Sequence, residues 1–147
     1  MLYAAALIVH LIAIIIWIGG VSFVTMITFP MLKRLDTSLE QVLMFQGIEH
    51  RFANIAKVMI ILTGLSGAAL IHIKGLSFGV WVMIFLWSFY TLLIFGLEKI
   101  IFDKVFAKPS GEEFDIKKVF FALQTFHWVI LALSFFAVAA GVVAAHY

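Results

Sequence analysis

The chain has 147 residues, 65% of them apolar and 12% charged, with a mean hydropathy of +1.16. A soluble domain is nearer half apolar and a quarter charged, so an ordinary soluble globular fold and disorder are both excluded. The net charge of +2 resides in basic residues of the connections and their membrane edges and gives no nucleic-acid footprint, and the absence of Cys excludes disulfides, thiolate metal sites and iron–sulfur clusters.

A transmembrane helix needs about 20 mostly apolar residues to cross ~30 Å of hydrocarbon. Four runs meet that length: 2–29, 52–73, 78–102 and 120–145. They are continuous rather than alternating, which argues against a β-barrel. The expectation is an all-α, single-domain, four-transmembrane-helix antiparallel bundle embedded in a lipid bilayer. Nine of the ten basic residues fall between runs one and two or between runs three and four, or at the membrane edges facing those connections, where Lys57 and Lys99 lie, and Lys74 alone sits in the link between runs two and three. The positive-inside rule then places both termini outside. The first run is longer than a signal peptide and lacks a basic leader, so it reads as a retained span.

In the first run Ala6, His10, Ala13, Trp17 and Gly20 share one helical stripe. Small residues there let a neighbouring backbone or a flat macrocycle approach closely. Pro30 cannot continue the hydrogen-bond ladder and is expected to end the helix. Thr37 to Glu40 reads as a capping box, so the second helix is expected to start well before its apolar run. Ser110 to Glu113 repeats the pattern ahead of the fourth. Arg51, Asn54 and Lys57 form a polar patch where the second run enters the membrane, suited to a propionate, a lipid phosphate or simple snorkelling. Thr63, Gly64, Ser66, Gly67 and Ala68 follow as packing positions. The third run carries Trp81, Ser88 and Phe95 on one face. The fourth places His127, Ser134 and Gly141 at seven-residue spacing, with Gln124 one turn earlier.

Histidine is the remaining chemistry. The carboxylates all fall at the basic side of the membrane or its edge, and no hydrolase or phosphate-binding pattern is present. An imidazole in hydrocarbon is costly, and it is either a ligand or a helix–helix hydrogen bond. His10, His127, His50 and His72 are the candidate metal ligands. His72 and His146, together with the N-terminal amine, form an outer set that can gather copper. Counted from the outer ends of their helices, His10 and His127 differ in depth by about eleven residues, or ~16 Å, so one metal cannot take both.

The run from His10 to Gly20, with Pro30, the segment Arg51-Phe52-Ala53-Asn54 and Thr63-Gly64, resembles the copper-resistance protein D (CopD) family and the related HemJ proteins over roughly the first half of the chain. The resemblance implies a membrane bundle of a bacterial inner membrane that binds haem b. It makes His10 the iron ligand and Arg51 the partner of propionates or substrate carboxylates; by the stripe and the polar patch described above, Trp17 and Gly20 would lie beside the macrocycle and Asn54 beside Arg51. The activity implied is electron transfer or quinone- or porphyrinogen-linked oxidation, alone or within a homo-oligomer or larger membrane complex. Copper handling and a cofactor-free accessory subunit are the alternatives.

Overall fold

The structure is a computed structural model, and it describes residues 1–35, 38–97 and 116–146. All the regular structure it describes is helical. Helix α1 (Leu2–Phe23) passes through a π-helical turn (Val24–Thr28) into the short α2 (Phe29–Leu32). Helix α3 spans Ser38–Lys74, α4 spans Phe78–Leu92 and ends in a second π-helical turn (Leu93–Leu97), and α5 spans Ile116–His146. Four stretches are long and apolar enough to cross a membrane: Leu2–Leu32, Leu43–Lys74, Phe78–Gly96 and Phe120–Val143.

The first of these corrects the expected stop at Pro30. The helix runs on to Leu32, because the π-helical turn just before the proline lets it. Proline lacks the N–H that would bond four residues back, and its ring crowds that carbonyl. Here the Phe29 N–H bonds the Val24 carbonyl five residues back, which widens the ladder as it reaches Pro30. The hydroxyls of Ser22 and Thr25 donate to the carbonyls of Ile18 and Val21 at 2.8 and 2.6 Å, competing with the ladder at the same place. Thr91 does the same to Trp87 at 2.8 Å, just ahead of the second π-helical turn.

Helix α3 begins directly after Thr37 and continues for 37 residues. The hydroxyl and carboxylate contacts of the expected capping box involve Thr37, which lies outside the described residues, as does the whole of Ser110 to Glu113. At its other end α3 stops at Lys74. Gly75 takes φ +86°, a left-handed conformation that an L side chain disfavours, and its N–H closes on the Ile71 carbonyl at 2.7 Å. Ser77 then caps α4 by accepting from the Val80 N–H. The turn between the two helices is thus only three residues long.

Helix α1 packs along α3, and α4 along α5. His10 lies on Gly67, the Phe52 ring lies on Gly20, and Phe29 meets Phe45 with ring centroids 5.4 Å apart. Trp87 of α4 covers Gly64 of α3, and Met83 of α4 covers Gly141 of α5. The core has two layers. One gathers Trp17, Val21, Ile60, Leu86, Tyr90 and Leu131. The other gathers Val24, Phe29, Leu32, Phe45 and Phe120 near the end of the bundle that holds the α2–α3 and α4–α5 connections. Outward faces carry large apolar side chains such as Ile15, Leu65, Phe85 and Phe136, as a lipid-facing surface requires.

At Gly20 a side chain has no room, because its Cβ would overlap the Phe52 ring. Gly20→Ala is therefore expected to lower stability by about 1–3 kcal/mol, the usual cost of overpacking. Thermal unfolding in detergent will measure it, and adding Phe52→Ala should recover part of the loss.

Candidate functional site

The stripe that carries His10 faces inward. Ala6, Ala13 and Trp17 are all buried. The His10 ring is partly buried and reaches α3, where its Nδ1 lies 3.1 Å from the Thr63 carbonyl and 3.0 Å from Ser66 Oγ. These partners settle the tautomer. A carbonyl only accepts. The Ser66 hydroxyl donates its one proton to the Leu62 carbonyl at 2.5 Å, so towards His10 it accepts as well. Nδ1 must therefore carry the proton, and Nε2 holds the lone pair. Nε2 makes no hydrogen bond among the described residues and is not among the buried polar atoms. The ring edge rests on Gly67, whose absent Cβ would stand 3.3 Å from His10 Cε1.

That arrangement is the one a metal-ligating histidine uses, with the distal nitrogen anchored to a carbonyl and the other basic and open. Nε2 fits an axial ligand of haem iron. The interior slot expected at Gly20 does not fit the macrocycle, because Phe52 fills it. Trp17 likewise packs on protein, edge-on to the Tyr90 ring with centroids 4.7 Å apart. A prosthetic group on His10 therefore has to lie on the outer side of the α1–α3 pair.

The remaining site residues are spread along the bundle. Arg51 and Asn54 are exposed on α3, twelve and nine residues before Thr63, or about 18 and 14 Å along the helix, so they do not gather with His10. His50 is exposed near the connection end and His72 near the other end of α3. The His146 side chain lies outside the described residues. Among the described residues no three His, Cys, Asp or Glu side chains come together as a metal-binding group. The copper set expected at the outer face is not assembled by the residues described.

His127 is buried, 5% exposed, and belongs to a different site. Its Nδ1 donates to the Leu123 carbonyl one turn back, at 2.9 Å. Its Nε2 faces Glu49 Oε2 of α3 at 3.6 Å. Phe29 stands against the ring at 5.1 Å between centroids. Between the two histidines lies a third polar group. The Tyr90 hydroxyl donates to the Ile130 carbonyl at 2.9 Å and lies 3.1 Å from Ser134 Oγ. Sequence reading missed Glu49 and Tyr90 as partners. Glu49 could have been found from its position: it is the carboxylate nearest the start of the second apolar run, next to His50.

Compared with protein-family models, curated proteins and solved structures, the chain matches none.

The tautomer is directly measurable. Nitrogen NMR on histidine-labelled protein should show the His10 proton on Nδ1 and a basic Nε2. Ser66→Ala removes one of two acceptors and should cost about 0.5–1.5 kcal/mol while leaving that tautomer in place, since the Thr63 carbonyl remains.

Proposed function

We propose that this chain is a small multi-pass membrane protein of a bacterial cytoplasmic membrane that binds haem b through His10 and passes electrons to or from a lipid-soluble partner such as a quinone or porphyrinogen. The observation that carries the reading is the His10 ring: Nδ1–H is fixed on the Thr63 carbonyl and Ser66, and Nε2 is left as an open base at the surface of an apolar bundle. A basic nitrogen facing acyl chains has no hydrogen-bond donor to meet, so a partner there lowers its cost. When bound, the haem supplies one-electron transfer.

The chain's own residues do the rest. Thr63 and Ser66 orient the imidazole and fix its proton. Gly67 gives the ring its seat. The apolar faces of α1 and α3 exclude water from the ligand nitrogen, which favours the neutral form that coordinates iron. The order of contacts between α1 and α3 supports an antiparallel pairing: His10 meets Thr63 and Ser66, Gly20 meets Phe52, and Phe29 meets Phe45. Placing both termini outside rests on the basic connections. In that orientation His10 lies nearer the outer face.

Protein expressed with haem supplied should purify with a Soret band. His10→Ala should lose the band while keeping its helical circular dichroism. Folded wild-type protein without a Soret band, or a band that survives in His10→Ala, overturns the assignment.

A further inference from the structure

The second intramembrane histidine has its own use. His127 and Glu49 bring two heteroatoms face to face inside an apolar layer. His127 Nδ1 is already committed as a donor to the Leu123 carbonyl. Its Nε2 and Glu49 Oε2 point at each other across 3.6 Å. Oε2 is buried and has no hydrogen-bond partner. If the imidazole is neutral and Glu49 ionised, two lone pairs oppose one another and a net negative charge is buried beside Phe29. That state is expensive, because it holds a charge away from water without a partner. One added proton removes the conflict. It makes either an imidazolium beside a carboxylate or an imidazole beside a carboxylic acid, and both are neutral overall.

We propose that His127 and Glu49 form a single proton-binding site that takes up one proton as a unit from the aqueous phase at the connection end of the bundle. The route is Glu49 itself, whose side chain is 20% exposed whereas that of His127 is 6%. A proton arriving from water there adds to Oε2 or Nε2, leaves a water molecule behind, and is shared between them. One nitrogen and one carboxylate, with no third ligand gathered among the described residues, do not make a metal site. This separates His127 from the ligand role expected of it.

The surroundings leave the proton to this pair. Among the described residues, Lys33 from the stretch after α2 is a cation beside α5, and its Nζ is held by Gln124 Oε1 at 2.6 Å, one turn from His127. The α1 extension contributes Thr28 and Phe29, which do not titrate. On α3, His50 and Arg51 follow Glu49 and are exposed. From α4, Tyr90 is the titratable group packed on α5, and its hydroxyl is engaged by Ile130 and Ser134. Two such close groups titrate as a unit, in macroscopic steps that belong to the pair and not to either residue.

The site is independent of haem, and its test uses the full chain in lipid nanodiscs without added cofactor. Nitrogen NMR of labelled His127 and carboxyl infrared bands of labelled Glu49 are followed across the pH range in which the protein stays folded. The expected result is one proton lost from the pair in a transition sensed by both the His127 and the Glu49 signals. In Glu49→Gln the amide N–H bonds Nε2 directly, and the His127 signal should stay that of a neutral ring throughout. Transitions in which His127 and Glu49 respond independently, no transition at either group, or a His127 titration unchanged in Glu49→Gln overturns the proposal. If Glu49→Gln does not fold, the wild-type titration alone decides.

Discussion

Apolar burial gives no driving force between helices that already sit in hydrocarbon, so their association depends on close packing and on hydrogen bonds between them. In this bundle the close packing is built from one repeated device: a glycine on one helix receives a large side chain from the next. Gly20 receives Phe52, Gly64 receives Trp87, Gly67 receives His10, and Gly141 receives Met83. Each pair fixes the height of one helix against its neighbour. Together they tie α1 to α3, α3 to α4 and α4 to α5 in turn. The small residues therefore hold side chains of the same chain, and the interior is closed by protein.

The same constraint governs the polar groups. A donor in the membrane must find an acceptor inside the bundle. Helix carbonyls supply it, since an oxygen already bonded within its helix keeps a second lone pair. Trp87 Nε1 donates to the Ile60 carbonyl at 2.9 Å, Tyr90 donates to that of Ile130, and His10 donates to that of Thr63. Every one of these bonds joins two different helices. Trp87 and His10 thereby act twice, filling a glycine notch with the ring and locking it with the N–H. His10 differs from Trp87 in one respect. An indole is exhausted after one hydrogen bond, whereas an imidazole anchored through Nδ1 still has a base at Nε2. Structural use and ligand chemistry coexist in that ring because it has two nitrogens.

In the first and fourth helices, the spacing of small and polar residues showed which faces point inward. The stripe Ala6, His10, Ala13, Trp17 faces the core, and so do His127, Ser134 and Gly141, because an inward-facing helix stripe must be small or polar where lipid cannot follow. The third helix was less legible. Trp81 and Phe95, read together as a face with Ser88, are exposed, and Leu86 and Tyr90 turn inward instead. Large apolar side chains face both the lipid and the core on this helix, so size and apolarity alone do not mark its buried side. The occupant of each notch was also hidden: spacing shows that Gly20 is small, but not that Phe52 fills it. Pro30 misled for a local reason, since the stop it signals holds for an α-helical ladder and the chain meets it with a π-helical turn. Glu49 was read as an edge carboxylate because its partner lies 78 residues further on, in a helix whose height is set by packing.

The two histidines, one on α1 and one on α5, pack against the same helix, α3, at different depths. His10 meets α3 at Thr63 and His127 meets it at Glu49, fourteen residues away, or about 21 Å of helix rise. The layer of Trp17, Tyr90 and Ser134 lies between them, with the Tyr90 and Ser134 hydroxyls already bonded to the Ile130 carbonyl. No metal bridges such a span, and the intervening hydroxyls are spent on a backbone acceptor rather than aligned from one imidazole to the other. The environments are opposite as well. One ring turns a lone pair toward the bundle surface, where a neutral base is the stable form. The other turns it toward a buried carboxylate, where a proton is needed. The bundle thus places a nitrogen suited to coordination and a nitrogen suited to proton binding in one small chain and keeps them chemically apart.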